Sequence, residues 1–246
     1  MPWPPRWPPR ATSERLTAVD PEVGSEALRL LSERREDLVA ERTRGLNRLH
    51  GLLRDLVPGG VAGTLSAHRA ARILRGIRPQ GGASARLCRR LASEILRDVR
   101  TLQRKIADLS ERIEAEVEAS GTTLTEIFGI GPILAAKIIG TVGNVVRFPT
   151  KAHFASYSGT APVEASSGEV VRHRLSLAGN RKLNYALHMV AICQARSDAR
   201  GGAYYHKKMA EGKSRKEALR CLKRRISDAV FRNLMADSRA PSRSAA

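Results

Sequence analysis

Cysteine is scarce in this 246-residue chain and its pattern is empty. Cys88, Cys193 and Cys221 are odd in number and far apart, and the six histidines show no paired spacing with them. Neither a disulfide framework nor a structural zinc site follows from such a set, and the three thiols read as reduced packing residues. Long apolar runs are missing too: none approaches the roughly 18 residues that a membrane span needs. The opening "MPWPPRWPPR" has charge but no apolar segment behind it, which excludes a secretory signal and places the expected protein in the cytosol. Acid is in short supply: 24 Asp and Glu face 43 Lys and Arg, for a net charge of +19 and an isoelectric point near 11.0. A surplus of that size favours an extended polyanion as partner over a small ligand, and nucleic acid leads that class.

What is present suffices for a core: 42% of the residues are hydrophobic, enough for one or two domains. Residues 1–24 mix Pro, Trp and Arg without periodicity and read as a disordered tail, although Trp3 and Trp7 are of a type that stacks on bases. From Ser25 the leucines Leu28, Leu31, Leu38, Leu49, Leu52 and Leu56 fall on one seam, interrupted by Arg35 and Arg42, until Pro58-Gly59-Gly60 stops it. A shorter helix is expected over Leu65 to Ile77, and Gly81-Gly82 opens another long one. In it Ile95, Val99, Leu102, Ile106, Leu109 and Ile113 alternate by four and three, the seam of a coiled coil. The fold class expected is therefore mainly α: a helical coiled-coil stalk over 25–120, then a small helical domain over 121–237 with a short β or loop segment, then a frayed tail over 238–246. Such stalks serve oligomerisation or spacing more often than chemistry.

Within the second region Phe148 to Tyr157 reads as helical, Gly159 to Gly168 as loop and Val170 to Leu175 as a short strand. A helix from Asn180 to about Arg196 puts Leu183, Leu187 and Val190 inward. Ser214 with Glu217 forms a capping box for a last helix whose Leu222, Ile226 and Leu234 share a face.

The stretch "LTEIFGIGPILAAKIIGTVG" carries the first binding signal. Thr123 is placed to cap a short helix, with Glu126 as its reciprocal partner and Leu124 and Ile127 inward. Gly129 and Gly131 around Ile130 permit a tight turn, and Pro132 begins the next helix where a missing N–H costs nothing. Backbone amides at that positive helix end suit a phosphate oxygen, and Lys137 stands near for the next phosphate. The spacing is that of a helix-hairpin-helix, a motif that grips a nucleic-acid backbone without reading bases; the bland alternative is a helical turn using glycine for geometry.

Charge supplies the second signal. Between Arg172 and Arg232 there are 16 Lys or Arg against four acids, so this quarter of the chain carries +12 of the +19. Lys213, Arg215, Lys216, Arg220, Lys223, Arg224 and Arg225 wrap most of one helix, a distribution that favours phosphates over a base sequence. A merely solvated face is the competing reading.

The segments "GIGPILAAKIIGTVGNVVRF", "FASYSGTAPVEASSGEVVRHRLSLAGNRKLN" and "AYYHKKMAEGKSRKEALRCLKRRISD" together resemble the carboxy-terminal domain of DEDD-type bacterial insertion-sequence transposases. This is the family numbered one-ten and one-sixteen, also described as bridge-RNA-guided recombinases, and the likeness runs in order from about Arg15 to Asp237. It implies a RuvC-like amino-terminal domain with four carboxylates, a coiled-coil segment, and a transposase domain with a nucleophilic serine. The first of these finds no counterpart here, since Asp20 and Glu22 alone make no two-metal site. The expectation is a family member without its front. By the resemblance the serine is Ser167 in "ASSGE", with its neighbour Ser166 as the other candidate; Glu169 and Val170 stand where a glycine and a lysine are commoner. A Ser-Gly pair alone reads as a turn. Around it Arg172, Arg174, Asn180 and Arg181 are suited to neutralising a phosphate under attack, and His173 is a weak candidate base for want of an orienting acid.

The function this implies is DNA transposition by strand cleavage and exchange through a serine nucleophile. Mg2+ enters by resemblance, held by carboxylates of the absent domain; this chain is expected to bind no cofactor and no metal itself. Expected partners are DNA, a structured guide RNA and further copies of the chain through the stalk, with no membrane, in the bacterial cytoplasm near the nucleoid. Two other classes compete. One is a non-catalytic helix-hairpin-helix module that holds nucleic acid; the other is a DNA-repair protein, which leaves "ASSGE" and the stalk unexplained.

Overall fold

Helix α1, Val23–Leu56, runs unbroken for 34 residues because no proline or turn pair interrupts it until Pro58 and the left-handed Gly59 and Gly60. It buries Leu28, Leu38, Leu49 and Leu53. The computed structural model describes residues 23–77, 82–164, 173–174, 179–197 and 200–240. Helix α2, Ala67–Gly76, starts at Ser66, whose Oγ accepts from the Arg69 amide at 3.1 Å. Helix α3, Ala83–Ala119, returns along α1 for 37 residues.

The two long helices lie antiparallel, and three contacts fix their register. The Cys88 thiol points to the Leu52 carbonyl at 3.7 Å, and Arg35 Nε donates to Ser110 Oγ at 2.9 Å. Between them Gly45 lies so close to Val99 that an added Cβ would sit 2.9 Å from its Cγ2. At the far tip Leu49, Leu53, Leu65, Leu74, Leu96 and Val99 form one cluster; midway Leu38, Ile106 and Leu109 form another. Arg35 and Arg42 do not break the seam, since the first of them spends its guanidinium on Ser110 across the pair. The seam differs in detail from the expected one: Leu53 and Leu96 are buried, while Leu52 and Ile95 flank them.

At the near end Leu28, Ile113 and Val117 join the core built by Leu124, Ile138, Phe154, Leu187, Leu222 and Val230. One continuous core thus crosses the division near residue 120 that the sequence suggests. That core takes in α4 (Pro132–Val142), α5 (Lys151–Tyr157), α6 (Arg181–Ala195) and α8 (Arg215–Asp237), with α7 (Arg200–Ala210) covering α6 and α8. Two residues each of β1 (Val163–Glu164) and β2 (His173–Arg174) pair antiparallel. The fold is mainly α, as expected.

Several local expectations hold and several shift. The capping box of Ser214 and Glu217 is present, and Asn180 caps α6 through its Oδ1, which accepts from Leu183 N at 3.0 Å. Helix α5 begins at Lys151 after its cap Thr150, later than Phe148, which instead closes a 3-10 turn, Val145–Arg147, and is buried. Helix α7 has no counterpart in the sequence reading. The first helix of the hairpin is only a 3-10 turn, Thr123–Glu126, and its cap is Thr122. Thr123 is drawn elsewhere: its amide and hydroxyl both reach the Asp237 carboxylate at the end of α8, the hydroxyl at 2.7 Å, and a charged acceptor outcompetes a local cap. The expected strand over 170–175 is described only at His173 and Arg174, and most of the amino-terminal tail lies outside the described residues.

Candidate functional site

Gly129 turns the chain with φ +90 and presses on α6, where an added Cβ would stand 3.3 Å from the Cβ of Cys193. Gln194 Nε2 donates to the Phe128 carbonyl at 2.7 Å and Ile130 is buried, so the turn is fastened to α6 from two sides. Gly131 then begins α4 with ordinary φ of −87, no side-chain cap, and open space where a Cβ would project. Its lack of a side chain keeps the amide end of α4 accessible, with Pro132 at the first position. Lys137 does not stand beside that end. Its ammonium pairs with Glu36 of α1 at 2.6 Å and lies 4.8 Å from the Tyr185 ring centre, its side chain only 14% exposed.

Ser166, Ser167 and Arg172 lie outside the described residues, and of Arg174 the structure gives the strand alone. What it does describe is the neck of the segment that carries them. At one end is Gly159, at the other Gly179, and they cross so closely that a Cβ on Gly179 would fall 2.3 Å from the Gly159 Cα. Asn180 N donates to the Tyr157 carbonyl at 2.6 Å and its Nδ2 to the Tyr157 hydroxyl at 3.0 Å. Asn180, expected near a phosphate, is thereby committed to the neck.

Beneath the neck lies a polar group that sequence reading missed. Asn184 Nδ2 donates to the carbonyls of Ser158 and Gly159 at 2.8 and 3.1 Å. Its Oδ1 accepts from Lys223 Nζ at 2.7 Å. Ser158, fully buried, meets Thr160 Oγ1 at 2.9 Å and Ser227 Oγ at 3.3 Å. Lys223, expected among the phosphate-binding cations of α8, is only 7% exposed and spends its ammonium on Asn184. Burial holds its ammonium below the ordinary lysine value. His188, one turn beyond Asn184, is likewise held below the ordinary histidine value, by burial first and by the Lys223 charge second. A signal existed in the sequence: Lys223 follows Leu222 on the apolar face, where a lysine is solvated only if that face is.

The remaining cations separate into committed and free. Arg224 pairs with Asp228 at 3.3 Å, Arg220 with Glu217 at 3.7 Å, and Arg225 stacks 3.9 Å from the Tyr204 ring centre. Lys213, Arg215, Lys216 and Arg181 are exposed. Among the described residues no three His, Cys, Asp or Glu side chains converge as a metal site. No helix among them is long and apolar enough to cross a membrane.

Comparison with known proteins adds a likeness over part of the chain. The model of the transposase IS116/IS110/IS902 family matches residues 121–206, the stretch from the glycine turn through the neck to α7. An IS110 insertion-element protein of 43.6 kDa from Streptomyces coelicolor is 37% identical over 114 residues, 46% of this chain and 28% of that one. The 44.8 kDa protein of IS116 from Streptomyces clavuligerus is 31% identical over 104 residues, 42% of this chain and 26% of the relative. The 42 kDa protein of IS900 from Mycobacterium paratuberculosis is 31% identical over 99 residues, 39% and 25% of the two chains. The matched stretch therefore spans between a quarter and 28% of the length of these curated relatives.

Proposed function

We propose that this chain binds DNA and takes part in strand exchange through Ser167, because residues 121–206 match the model of the transposase IS116/IS110/IS902 family. The glycine turn and the exposed cations of α8 and α6 are the surfaces that hold the backbone. Gly131 leaves the α4 amide end open, and Lys213, Arg215, Lys216 and Arg181 add exposed positive charge. Such contacts bind phosphates without reading bases.

The observation that carries the catalytic part is the neck. Gly159 and Gly179 bring the two ends of the serine segment together, and Asn180 and Asn184 tie them to α5 and α6. The neck fixes where the segment that carries Ser167 leaves and rejoins α5 and α6. The Ser167 oxygen attacks a phosphodiester in line, its proton leaves to a base, and the displaced sugar hydroxyl departs. A phosphoserine joint results, which the hydroxyl of the exchanged strand reverses. Arg172, Arg174 and Arg181 neutralise the charge that develops on the phosphoryl oxygens. A serine hydroxyl needs activation, and by family resemblance metal ions held on carboxylates of the full-length protein supply it.

Trapping a covalent adduct between the chain and labelled duplex DNA, supplied with the amino-terminal domain of a relative, tests this. The adduct should vanish in Ser167→Ala and persist in Ser166→Ala. DNA binding without an adduct in any variant would leave the non-catalytic binding module as the function.

A further inference from the structure

The tip of the helical pair, farthest from the glycine turn, carries a charge surplus of its own. Between Ala67 and Arg104 the chain has ten arginines, no lysine and two acids, Glu94 and Asp98. Among the described residues none of these arginines lies within ion-pair distance of an acid. Where α2 meets α3 a cleft of about 430 Å³ opens, walled by Ala71, Leu74 and Leu96 and rimmed by Arg75, Arg89, Ser93 and Arg100. Residues 89, 93, 96 and 100 recur at helical spacing, so they form one stripe down α3.

Arg89 is the least satisfied of them. One of its terminal nitrogens donates to the Leu74 carbonyl at 3.4 Å, while its Nε is enclosed and has no partner. A buried guanidinium N–H with nothing to donate to is costly, and turning Arg89 toward an anion in the cleft would relieve that cost. Arginine in preference to lysine suits a phosphate, since the planar fork binds two oxygens together.

We propose that this arginine cleft is a second DNA-binding site, which takes the phosphate backbone of a duplex. The inference rests on the DNA-binding reading above and extends it to the opposite end of the molecule. No aromatic lines the cleft, so it offers no platform for unpaired bases, and a duplex that shows only its backbone is the form that fits. Spacing agrees with that choice. From Arg100 and Arg89 to Val117 in the main core, α3 rises about 26 to 42 Å at 1.5 Å per residue. One turn of B-form DNA rises about 34 Å. The cleft therefore stands from the main core at a distance on the scale of one duplex turn.

Fluorescence anisotropy on the full chain with a 30-base-pair duplex, over a series of salt concentrations, tests the proposal. The triple variant R75A/R89A/R100A should bind at least tenfold more weakly. Its slope of log affinity against log salt should fall by about two to three, at roughly 0.9 for each phosphate that is no longer neutralised. Replacing the same three arginines by lysine should keep most of the slope. Should the triple variant lose helicity by circular dichroism, R75A/R100A, which keeps the Arg89 bond to Leu74, serves instead, with its slope lower by about two. An unchanged affinity and slope would overturn the site, as would a loss confined to duplex RNA. The rear surface is read separately through K213A/R215A/K216A: if binding survives that variant and fails in the tip variant, the rear interface is refuted and the tip site stands.

Discussion

Lys223 donates its ammonium to the side-chain carbonyl of Asn184 at 2.7 Å, and no carboxylate pairs with it among the described residues. A lysine 7% exposed with only an amide for a partner carries a charge that burial opposes. Because burial depresses its folded pKa below the ordinary 10.5, the unfolded chain holds the proton more tightly. The cost of the buried charge is present in full below the folded value and disappears as pH rises from there to the unfolded value. Stability of the wild type relative to Lys223→Met should therefore climb with pH on the alkaline side. Urea unfolding of both proteins across pH 7 to 10.5 measures it, and a flat difference would refute the buried charge.

His188 reports on the same charge from the other side. Its pKa lies below 6.5 through burial and through Lys223. Removing the ammonium in Lys223→Met should move the imidazole pKa upward, and burial should keep it short of the free value. Stability that the wild type loses as pH falls below 6.5 should shrink correspondingly in the variant. Titration of the His188 ring protons by nuclear magnetic resonance decides this; an unmoved value would show the two groups uncoupled.

Gly140 and Gly51 make a matched pair of substitutions to alanine. A Cβ at Gly140 of α4 would lie 2.6 Å from the Cα of Arg29 in α1, a backbone atom that cannot swing aside. At Gly51 of α1 a Cβ meets nothing within 4 Å. Gly51→Ala should raise stability by about 0.5 to 1 kcal/mol through helix propensity. Gly140→Ala should lower it by about 1 to 3 kcal/mol, since the helices must part. Thermal melts of the two variants suffice, and equal effects would contradict the crossing.

Gly179→Ala tests the neck. The new Cβ would overlap the Gly159 backbone at 2.3 Å and force the two strands of the neck apart. The Asn180 amide, bonded to the Tyr157 carbonyl at 2.6 Å, should then exchange its hydrogen faster. Exchange as slow as in the wild type would mean that the two glycines do not hold the neck closed.

Asp237 ends α8 by accepting from the Thr122 hydroxyl at 2.8 Å and from the Thr123 amide and hydroxyl. Asp237→Ala leaves these donors unmatched and should cost about 1 to 3 kcal/mol. Asp237→Asn, which keeps an oxygen there, should cost less. A null effect in denaturant melts would show that α8 closes on the 3-10 turn through apolar packing alone.

Periodicity made the long helices legible, because Leu28, Leu38, Leu49, Val99, Ile106 and Ile113 repeat over enough turns to outweigh local noise. Caps were legible where the acceptor is local: Ser214 with Glu217, and Asn180 with Leu183. The reading failed where a distant group competes. Thr123 looked like a cap because Asp237, more than a hundred residues on, is invisible to spacing. Lys137 looked free because Glu36 approaches it from α1, and Lys223 looked solvated because its burial depends on how α6 packs on α8. Helix α7 went unread because Gly201 and Gly202 open it, although Gly202 is needed where a Cβ would strike the Ser197 carbonyl at 1.8 Å. The division near residue 120 followed charge and motif boundaries, whereas Leu28 and Val117 join one apolar core across it. The arginine density of the tip stood in plain view but was outweighed by the larger total surplus of the rear.

The Gly140 and Arg29 crossing sets the point about which any swivel of α1 on α4 would turn. From Arg29 to Leu56 the α1 axis extends about 40 Å, and α3 braces it throughout. A swivel of only about 5° at the crossing carries the far end through roughly 3 to 4 Å, an arc comparable with the rise of one DNA base pair at about 3.4 Å. A parting of the two crossing backbones would thus be magnified along α1 at the tip of the helical pair.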